Sequence, residues 1–179
     1  LANLEGKLNL TKSPMPLCQE LLPIELTFHH LDCRCDKGEF PLKEMFSEFA
    51  ANDVSNTLFI VEGVAGAGKT TVIKNIALDF LSPSDNEEFK GVKKFQSLIF
   101  IRGKDRSITS FDRLLKRMYG NVMDRTTPDH VKAALLRINT LVVIDGLDEL
   151  NEVSGPLLEQ VLLHFKNSDK VTFLATSRH

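Results

Sequence analysis

The segment at residues 61–71, VEGVAGAGKTT, constrains the fold of this chain more than any other part of it. Residues 63–70 match the pattern GxxxxGK[ST], in which glycines precede a lysine and a hydroxyl residue. The apolar run at 57–61 before the pattern predicts a buried strand, and the amphipathic run at 72–81 after it predicts a helix. The sequence therefore predicts a strand, a glycine-rich loop and a helix in direct succession.

Such a loop is suited to binding phosphate. Glycines let the backbone N–H groups of residues 66–70 turn towards phosphate oxygens, and the N-terminus of the following helix adds positive potential. Lys69 is placed to reach the β- and γ-phosphates of a nucleotide, and the Thr70 hydroxyl is placed to ligate Mg²⁺. The alternative, a glycine-rich turn with an incidental lysine, would arise by chance in well under ~1% of chains of this length. The predicted phosphate-binding residues are Gly63, Gly66, Ala67, Gly68, Lys69, Thr70 and Thr71.

The composition is that of an ordinary globular domain. The 179 residues suit one domain with a short N-terminal extension, and 42% hydrophobic residues supply a core. A net charge of −2 gives no basic surface of the kind that binds nucleic acid. No apolar run approaches the ~20 residues of a membrane span. Because the chain starts at Leu1 and ends at His179 directly after an apolar run, we expect an internal fragment of a longer protein.

The three cysteines, Cys18, Cys33 and Cys35, do not form the disulfide framework of a small secreted protein. They fit a reducing compartment, and the cytoplasm is the predicted location. Residues 29–35, HHLDCRC, contain ligand types that zinc prefers, but they lack both a CxxC pair and a second matching half. We therefore favour ordinary thiols and imidazoles on an extended segment over a metal site.

The chain divides into two predicted regions. Residues 1–52 form a lead-in that is interrupted by prolines, with an extended segment at 24–31 and a short helix opened by Pro41. Residues 53–179 form the nucleotide-binding core, in which apolar strands alternate with helices. Strands are expected at 57–62, 95–101, 141–144 and 171–176, and helices at 69–81, 110–119, 128–138 and from after Pro156 to 165. Gly120 and Asn121 are expected to stop the second helix. This alternation predicts an α/β fold with a mainly parallel sheet covered on both faces.

A carboxylate follows the third apolar strand. Residues 141–145, LVVID, have the form known as Walker B. Functional groups of an open α/β sheet project from the carboxyl ends of its strands, so Asp145 is expected at the same edge as the phosphate loop. There Asp145 would hold Mg²⁺, directly or through water, opposite Thr70. These two residues are the predicted metal ligands.

Two further acids and an arginine are candidates for catalysis. Hydrolysis needs a carboxylate that positions or deprotonates the attacking water, and Asp148 and Glu149 are the local candidates. The sequence does not choose between them, and either could instead cap the following helix or face solvent. Arg178, after the fourth strand, is predicted to sense or stabilise the γ-phosphate rather than to be a simple surface residue. Arg102, after the second strand, is given a structural or solvent-facing role.

Three motifs in this order, GVAGAGKTT, LVVIDGLDEL and FLATSR, resemble those of NACHT domains. These domains are the signal-transducing NTPases of NOD-like receptors and related proteins. The resemblance spans roughly residues 57–178, and Gly146 is its most telling residue. At that place AAA+ motors usually carry Glu, and plant resistance NTPases usually carry a second acid. His179 departs mildly from the family, which often has Pro there.

The resemblance implies a P-loop NTPase three-layer sandwich with the strand order 5-1-4-3-2. The strand before Arg178 would then lie between the Walker A and Walker B strands. By the same resemblance, we expect the fifth strand, and the helical and winged-helix domains that close over ADP in the family, to follow residue 179 in the parent protein.

The resemblance also implies a function, an ATP/ADP-binding switch with slow ATP hydrolysis in the full-length protein. Exchange of ADP for ATP would favour self-oligomerisation, and the parent's effector and sensor domains would be further partners in innate immune signalling. One rival is a motor-like, AAA+-like P-loop ATPase, against which Gly146 argues. The other is an interaction scaffold without turnover, against which the intact Lys69, Thr70 and Asp145 argue.

Overall fold

The computed structural model describes residues 32–35, 38–48, 57–83 and 88–178. Its N-terminal part contains an antiparallel pair of strands, β1 (Asp32–Cys35) and β2 (Gly38–Pro41), that the sequence analysis did not predict. The missed signal is the turn-prone sequence DKG at 36–38. Pro41 ends β2, and the predicted short helix follows it as a 3-10 turn (Leu42–Glu44) and α1 (Met45–Glu48). The predicted extended segment at 24–31 lies outside the described residues.

The rest of the chain alternates strands and helices as predicted. The strands are β3 (Thr57–Glu62), β4 (Ser97–Arg102), β5 (Thr140–Asp145) and β6 (Val171–Ser177). The helices are α2 (Lys69–Leu81), α3 (Phe111–Met118), α4 (Gly120–Met123), α5 (Pro128–Leu135) and α6 (Ser154–Phe165). No helix of the described segments is long and apolar enough to cross a membrane.

The four strands from β3 to β6 form one parallel sheet in the order β3-β6-β5-β4. Numbered from β3 along the chain, this is the order 1-4-3-2, so the predicted order is confirmed over these four strands. β6 lies between β3, which leads into the phosphate loop, and β5, which ends at Asp145. The carboxyl ends of all four strands therefore meet at one edge of the sheet.

Helices cover both faces of this sheet. Phe173 of β6 pairs in register with Leu58 of β3, so these two side chains lie on one face of the sheet. Phe59, the residue after Leu58, points to the opposite face. The Phe173 ring lies 6.5 Å from that of Phe165 on α6. The Phe59 ring lies 5.9 Å from that of Phe46 on α1, which is fully buried. The predicted three-layer α/β arrangement is thus confirmed.

Several helix boundaries differ from those predicted, and one of them is the end of α5, which lies at Leu135 rather than at residue 138. α6 begins at Ser154, before Pro156, because proline is tolerated in a first helical turn, whose N–H groups need no partner within the helix. Asn151 Oδ1 accepts hydrogen bonds there from Val153 N at 2.9 Å and Ser154 N at 3.2 Å. After α3 the chain does not simply stop at Gly120, but forms the extra turn α4, whose Val122 packs against the core. Tertiary packing here outweighs the local stop signal.

His164 of α6 is expected to make stability depend on pH. Its ring packs against those of Phe111 and Phe165, with centroid distances of 5.3 and 4.8 Å. Burial lowers the pKa of His164 below its ordinary value of 6.5, although a hydrogen bond to Lys132 O acts in the other direction. The unfolded chain therefore takes up the proton more readily than the folded one. The stabilising contribution is present above the ordinary pKa and is lost as the pH falls through the lower folded pKa.

We expect the thermal midpoint of His164→Gln to fall less than that of the wild type between about pH 7 and about pH 5. His130 is exposed, so His130→Gln is the matched control and is expected to keep the wild-type slope. An unchanged slope in His164→Gln would contradict this prediction.

Candidate functional site

The glycine-rich loop lies between the end of β3 and the start of α2, at the carboxyl edge of the sheet. Gly66 and Gly68 have φ angles of 82° and 84°, a region in which only glycine is unstrained. Gly68 is the N-cap of α2, so the first N–H groups of that helix continue directly from the loop. Residues 64–67 are exposed. The loop therefore presents a helix N-terminus and adjoining backbone to any ligand at this edge.

Lys69 lies against its own loop. Its Nζ donates hydrogen bonds to Gly63 O and, at 2.9 Å, to Val64 O. These acceptors are neutral carbonyl groups. A phosphate oxygen would be a stronger acceptor because the hydrogen bond would be charge-assisted on both sides. In the structure the ammonium group of Lys69 is thus held by carbonyl groups of the loop itself.

Thr70 and Asp145 meet across the edge of the sheet. The Thr70 hydroxyl, in the first turn of α2, donates to Asp145 Oδ1 at 3.0 Å, and Asp145 is the last residue of β5. The hydroxyl of Thr176, near the end of β6, donates to the same oxygen at 3.0 Å. Gly146 N in turn donates to Thr176 Oγ1 at 2.8 Å. Thr176, buried to 1% exposure, was not among the predicted site residues.

The donors at this point fit Mg²⁺. A hydroxyl and a carboxylate are hard oxygen ligands, and Mg²⁺ is usually held by one or two protein groups together with phosphate oxygens and water. Within the described residues there is no cluster of three or more His, Cys, Asp or Glu side chains that could hold a metal ion. Such a donor set suits an ion shared with a phosphate better than a zinc-type cage. Of the alternative zinc ligands at 29–35, His29 and His30 lie outside the described part of the chain, whereas Asp32, Cys33 and Cys35 lie on β1.

Asp148, Glu149 and Arg178 form a single ion cluster. Asp148 and Glu149 lie on a 3-10 turn (Leu147–Glu149) directly after Gly146, and Arg178 follows β6. Asp148 accepts from the Arg178 backbone N–H at 3.1 Å, and its Oδ2 lies 3.1 Å from Arg178 Nε. Glu149 Oε1 accepts from Arg178 Nη2. The three predicted catalytic residues therefore contact one another rather than standing as separate groups.

Gly103 brings the end of β4 against the end of β5. Its N–H donates to Asp145 O at 2.8 Å, and its carbonyl accepts from Asn151 Nδ2 at 3.0 Å. A Cβ at Gly103 would lie 1.9 Å from Gly146 O, so the two backbones approach too closely for any side chain. No sequence signal marked Gly103, apart from its place after a strand. Arg102 beside it lies over the Phe100 ring at 5.8 Å.

Comparison with known proteins supports this description. The NACHT domain family model matches residues 57–179. A search of curated proteins finds no match. The solved structure of C. elegans PCH-2 is similar at 22% identity with a TM-score of 0.36, over 77% of this chain and 34% of that one. The chain thus spans about a third of the PCH-2 chain. Because the family model covers more than half of the chain, the predicted family is confirmed, and the chain belongs to the NACHT family of P-loop NTPases.

Proposed function

We propose that this chain is the nucleotide-binding core of an ATP/ADP switch that hydrolyses ATP slowly. The observation that carries the proposal is the meeting of the glycine-rich loop with Thr70 and Asp145, whose oxygens lie 3.0 Å apart. One edge of the sheet then offers backbone N–H groups and an ammonium group for phosphate, and two oxygen ligands for Mg²⁺. The site residues Gly63, Gly66, Ala67, Gly68, Lys69, Thr70 and Thr71 are proposed as the phosphate cradle.

Thr70 and Asp145 are proposed to hold Mg²⁺ together with phosphate oxygens of the nucleotide. When bound, the ion would neutralise charge on the phosphates. Lys69 would turn from its own loop carbonyls to the β- and γ-phosphates. The hydrogen-bonded hydroxyls around Asp145 keep its carboxylate directed at the start of α2, so little rearrangement is needed.

The ion cluster of Asp148, Glu149 and Arg178 is proposed to perform hydrolysis. One carboxylate would orient a water molecule and accept its proton, while the water oxygen forms a bond to the γ-phosphorus and the bond to the ADP oxygen breaks, which leaves phosphate and ADP. Arg178 would stabilise the charge on the γ-phosphate. In the structure Arg178 is instead paired with both acids, so binding the phosphate requires it to leave a cation–carboxylate contact. That competition supports slow turnover.

The role in the parent protein is proposed from the family resemblance. Bound ADP would hold the protein closed, and ATP would favour self-oligomerisation in cytoplasmic innate immune signalling. We also propose the division into a lead-in at 1–52 and a core at 53–179. The end of the lead-in packs tightly on the core, because the fully buried Phe46 lies 5.6 Å from Phe95 between ring centroids.

The test is a titration of the full-length protein with ADP in the presence of Mg²⁺. We expect Lys69→Ala and Asp145→Ala each to weaken binding by at least about tenfold, equivalent to about 1.4 kcal/mol, since each removes a charged contact to phosphate or metal. Lys116→Ala and Asp169→Ala change exposed residues of the same types and are expected to bind like the wild type. Undiminished binding after the loss of both Lys69 and Asp145 would overturn the assignment of the site.

A further inference from the structure

Thr176 links three elements of the site through one hydroxyl group. It accepts from Gly146 N at 2.8 Å and donates to Asp145 Oδ1 at 3.0 Å. The same carboxylate oxygen accepts from Thr70 at 3.0 Å. The hydrogen bonds thus connect the residue after β5, Gly146, to Thr176 of β6, and Thr176 to Asp145 at the end of β5. Thr70, at the start of α2, also bonds to Asp145.

The direction of these bonds is fixed by chemistry. A backbone N–H can only donate, so the Thr176 oxygen must be the acceptor in its bond with Gly146. The one proton of the hydroxyl is then available for Asp145, whose Oδ1 accepts it. Thr176 therefore directs a donor at one particular oxygen of the carboxylate. The bonds from Gly146 N to Thr176 and from Thr176 to Asp145 run in one direction, so each polarises and strengthens the other.

The burial of Thr176 makes this bond selective. The residue is 1% exposed, so water cannot replace its hydroxyl without a change in packing. The register of the strands also places Thr176 beside Asp145. Ile144 pairs with Ala175, so the residues that follow them, Asp145 and Thr176, are neighbours on the same face of the sheet. That is the face towards which Thr70 also projects its hydroxyl group.

We propose that Thr176 is a positioning residue for the metal site. It holds the Asp145 carboxylate in the orientation that Mg²⁺ requires, and so couples metal binding to nucleotide binding. This inference rests on the proposed function, and it adds a residue from β6 to a site otherwise built from α2 and β5. Groups around a metal ligand that fix its orientation commonly tune metal affinity in this way.

The experiment measures the dissociation constant of ADP with Mg²⁺ and with EDTA. The value in EDTA divided by the value with Mg²⁺ gives the metal coupling. We expect Thr176→Val, which keeps the shape but removes the hydroxyl group, to reduce this ratio about tenfold, and to leave the affinity in EDTA within about twofold. Thr176→Ser restores the hydroxyl group and is expected to restore the ratio. Thr172→Val, on the same face of β6, is the matched control.

A second readout uses Mn²⁺ in place of Mg²⁺. Its electron paramagnetic resonance spectrum with bound ADP reports the ligand environment directly, and we expect it to change in Thr176→Val but not in Thr172→Val or Thr176→Ser. Should Thr176→Val fail to fold, Thr176→Ala replaces it, because the smaller side chain leaves room for water at Gly146 N.

The outcomes separate this inference from the proposed function. A wild-type protein that binds no ADP would overturn both. Wild-type binding that depends on Mg²⁺, with the same coupling in Thr176→Val, would overturn only the role of Thr176. Equal loss of affinity with and without Mg²⁺ would show a purely structural role, and would also overturn it.

Discussion

Replacing Gly103 by alanine is expected to remove a large part of the stability of the fold. The added Cβ would lie 1.9 Å from Gly146 O and 3.0 Å from Gly146 C. Both are backbone atoms, so no side chain can turn aside to relieve the overlap. The ends of β4 and β5 would have to separate, which breaks the 2.8 Å hydrogen bond from Gly103 N to Asp145 O. A loss of about 4 kcal/mol or more is expected, against a typical total stability of about 5–15 kcal/mol.

Urea unfolding followed by circular dichroism measures this loss, and Gly155→Ala is its matched control. Gly155 is the second residue of α6, and a Cβ there would meet nothing within 4 Å. Alanine is the better helix former by about 1 kcal/mol, so this variant is expected to be as stable as the wild type or slightly more so. A Gly103→Ala protein with the wild-type midpoint would show that β4 and β5 can move apart at little cost.

The sequence carried enough information to predict the sheet. Continuous apolar strands such as 141–144 can be recognised from the sequence, because burial on both faces leaves no place for polar residues. The glycine-rich loop then identifies the first strand of the core, and the family resemblance supplies the strand order. Periodicity alone would not have placed β6 between β3 and β5, because pairing between strands far apart in the chain leaves no local pattern.

The contacts around the site were beyond prediction from the sequence. Thr176 acts through hydrogen bonds to Asp145 and Gly146, which lie 30 or more positions away in sequence. Gly103 acts through the close approach of its backbone to that of Gly146. Neither effect has a signature in residue type, since most threonines near strand ends are simply buried or solvated. The hairpin of β1 and β2 was missed for a related reason: each strand has only four residues, too few for a pattern to emerge.

For the ion cluster, the sequence predicted the position of the residues but not their ion pairs. The sequence predicted that Asp148, Glu149 and Arg178 would share one edge of the sheet, because each follows the end of a strand. It could not predict that both acids would pair with the same arginine. Which acid remains available for water depends on how Arg178 divides its donors between them. The division is unequal: Asp148 accepts from both the backbone N and Nε of Arg178, whereas Glu149 is held through Oε1.

From this inequality we expect Glu149 to be the residue that acts on water. Glu149→Gln is expected to lower the rate of ATP hydrolysis in a single turnover by about 100-fold, the usual contribution of a general base, while leaving ADP affinity within about twofold. Asp148→Asn is expected to lower the rate by about tenfold only, because an amide oxygen can still accept the Arg178 backbone N–H bond that fixes the end of β6.

The two isosteric variants keep the shape of the site, so a difference between them reports chemistry rather than folding. The midpoint of thermal unfolding of each variant is measured as a check.

Arg178→Lys keeps the charge but loses the planar donor set that spans both acids. It is therefore expected to slow hydrolysis more than it weakens ADP binding, since the γ-phosphate contact is made only with ATP.

A large loss of hydrolysis rate in Asp148→Asn with a normal rate in Glu149→Gln would reverse the roles of the two acids. Normal rates in both variants would remove the carboxylates from the mechanism, and would leave the cluster as a clamp between the end of β6 and the turn after β5.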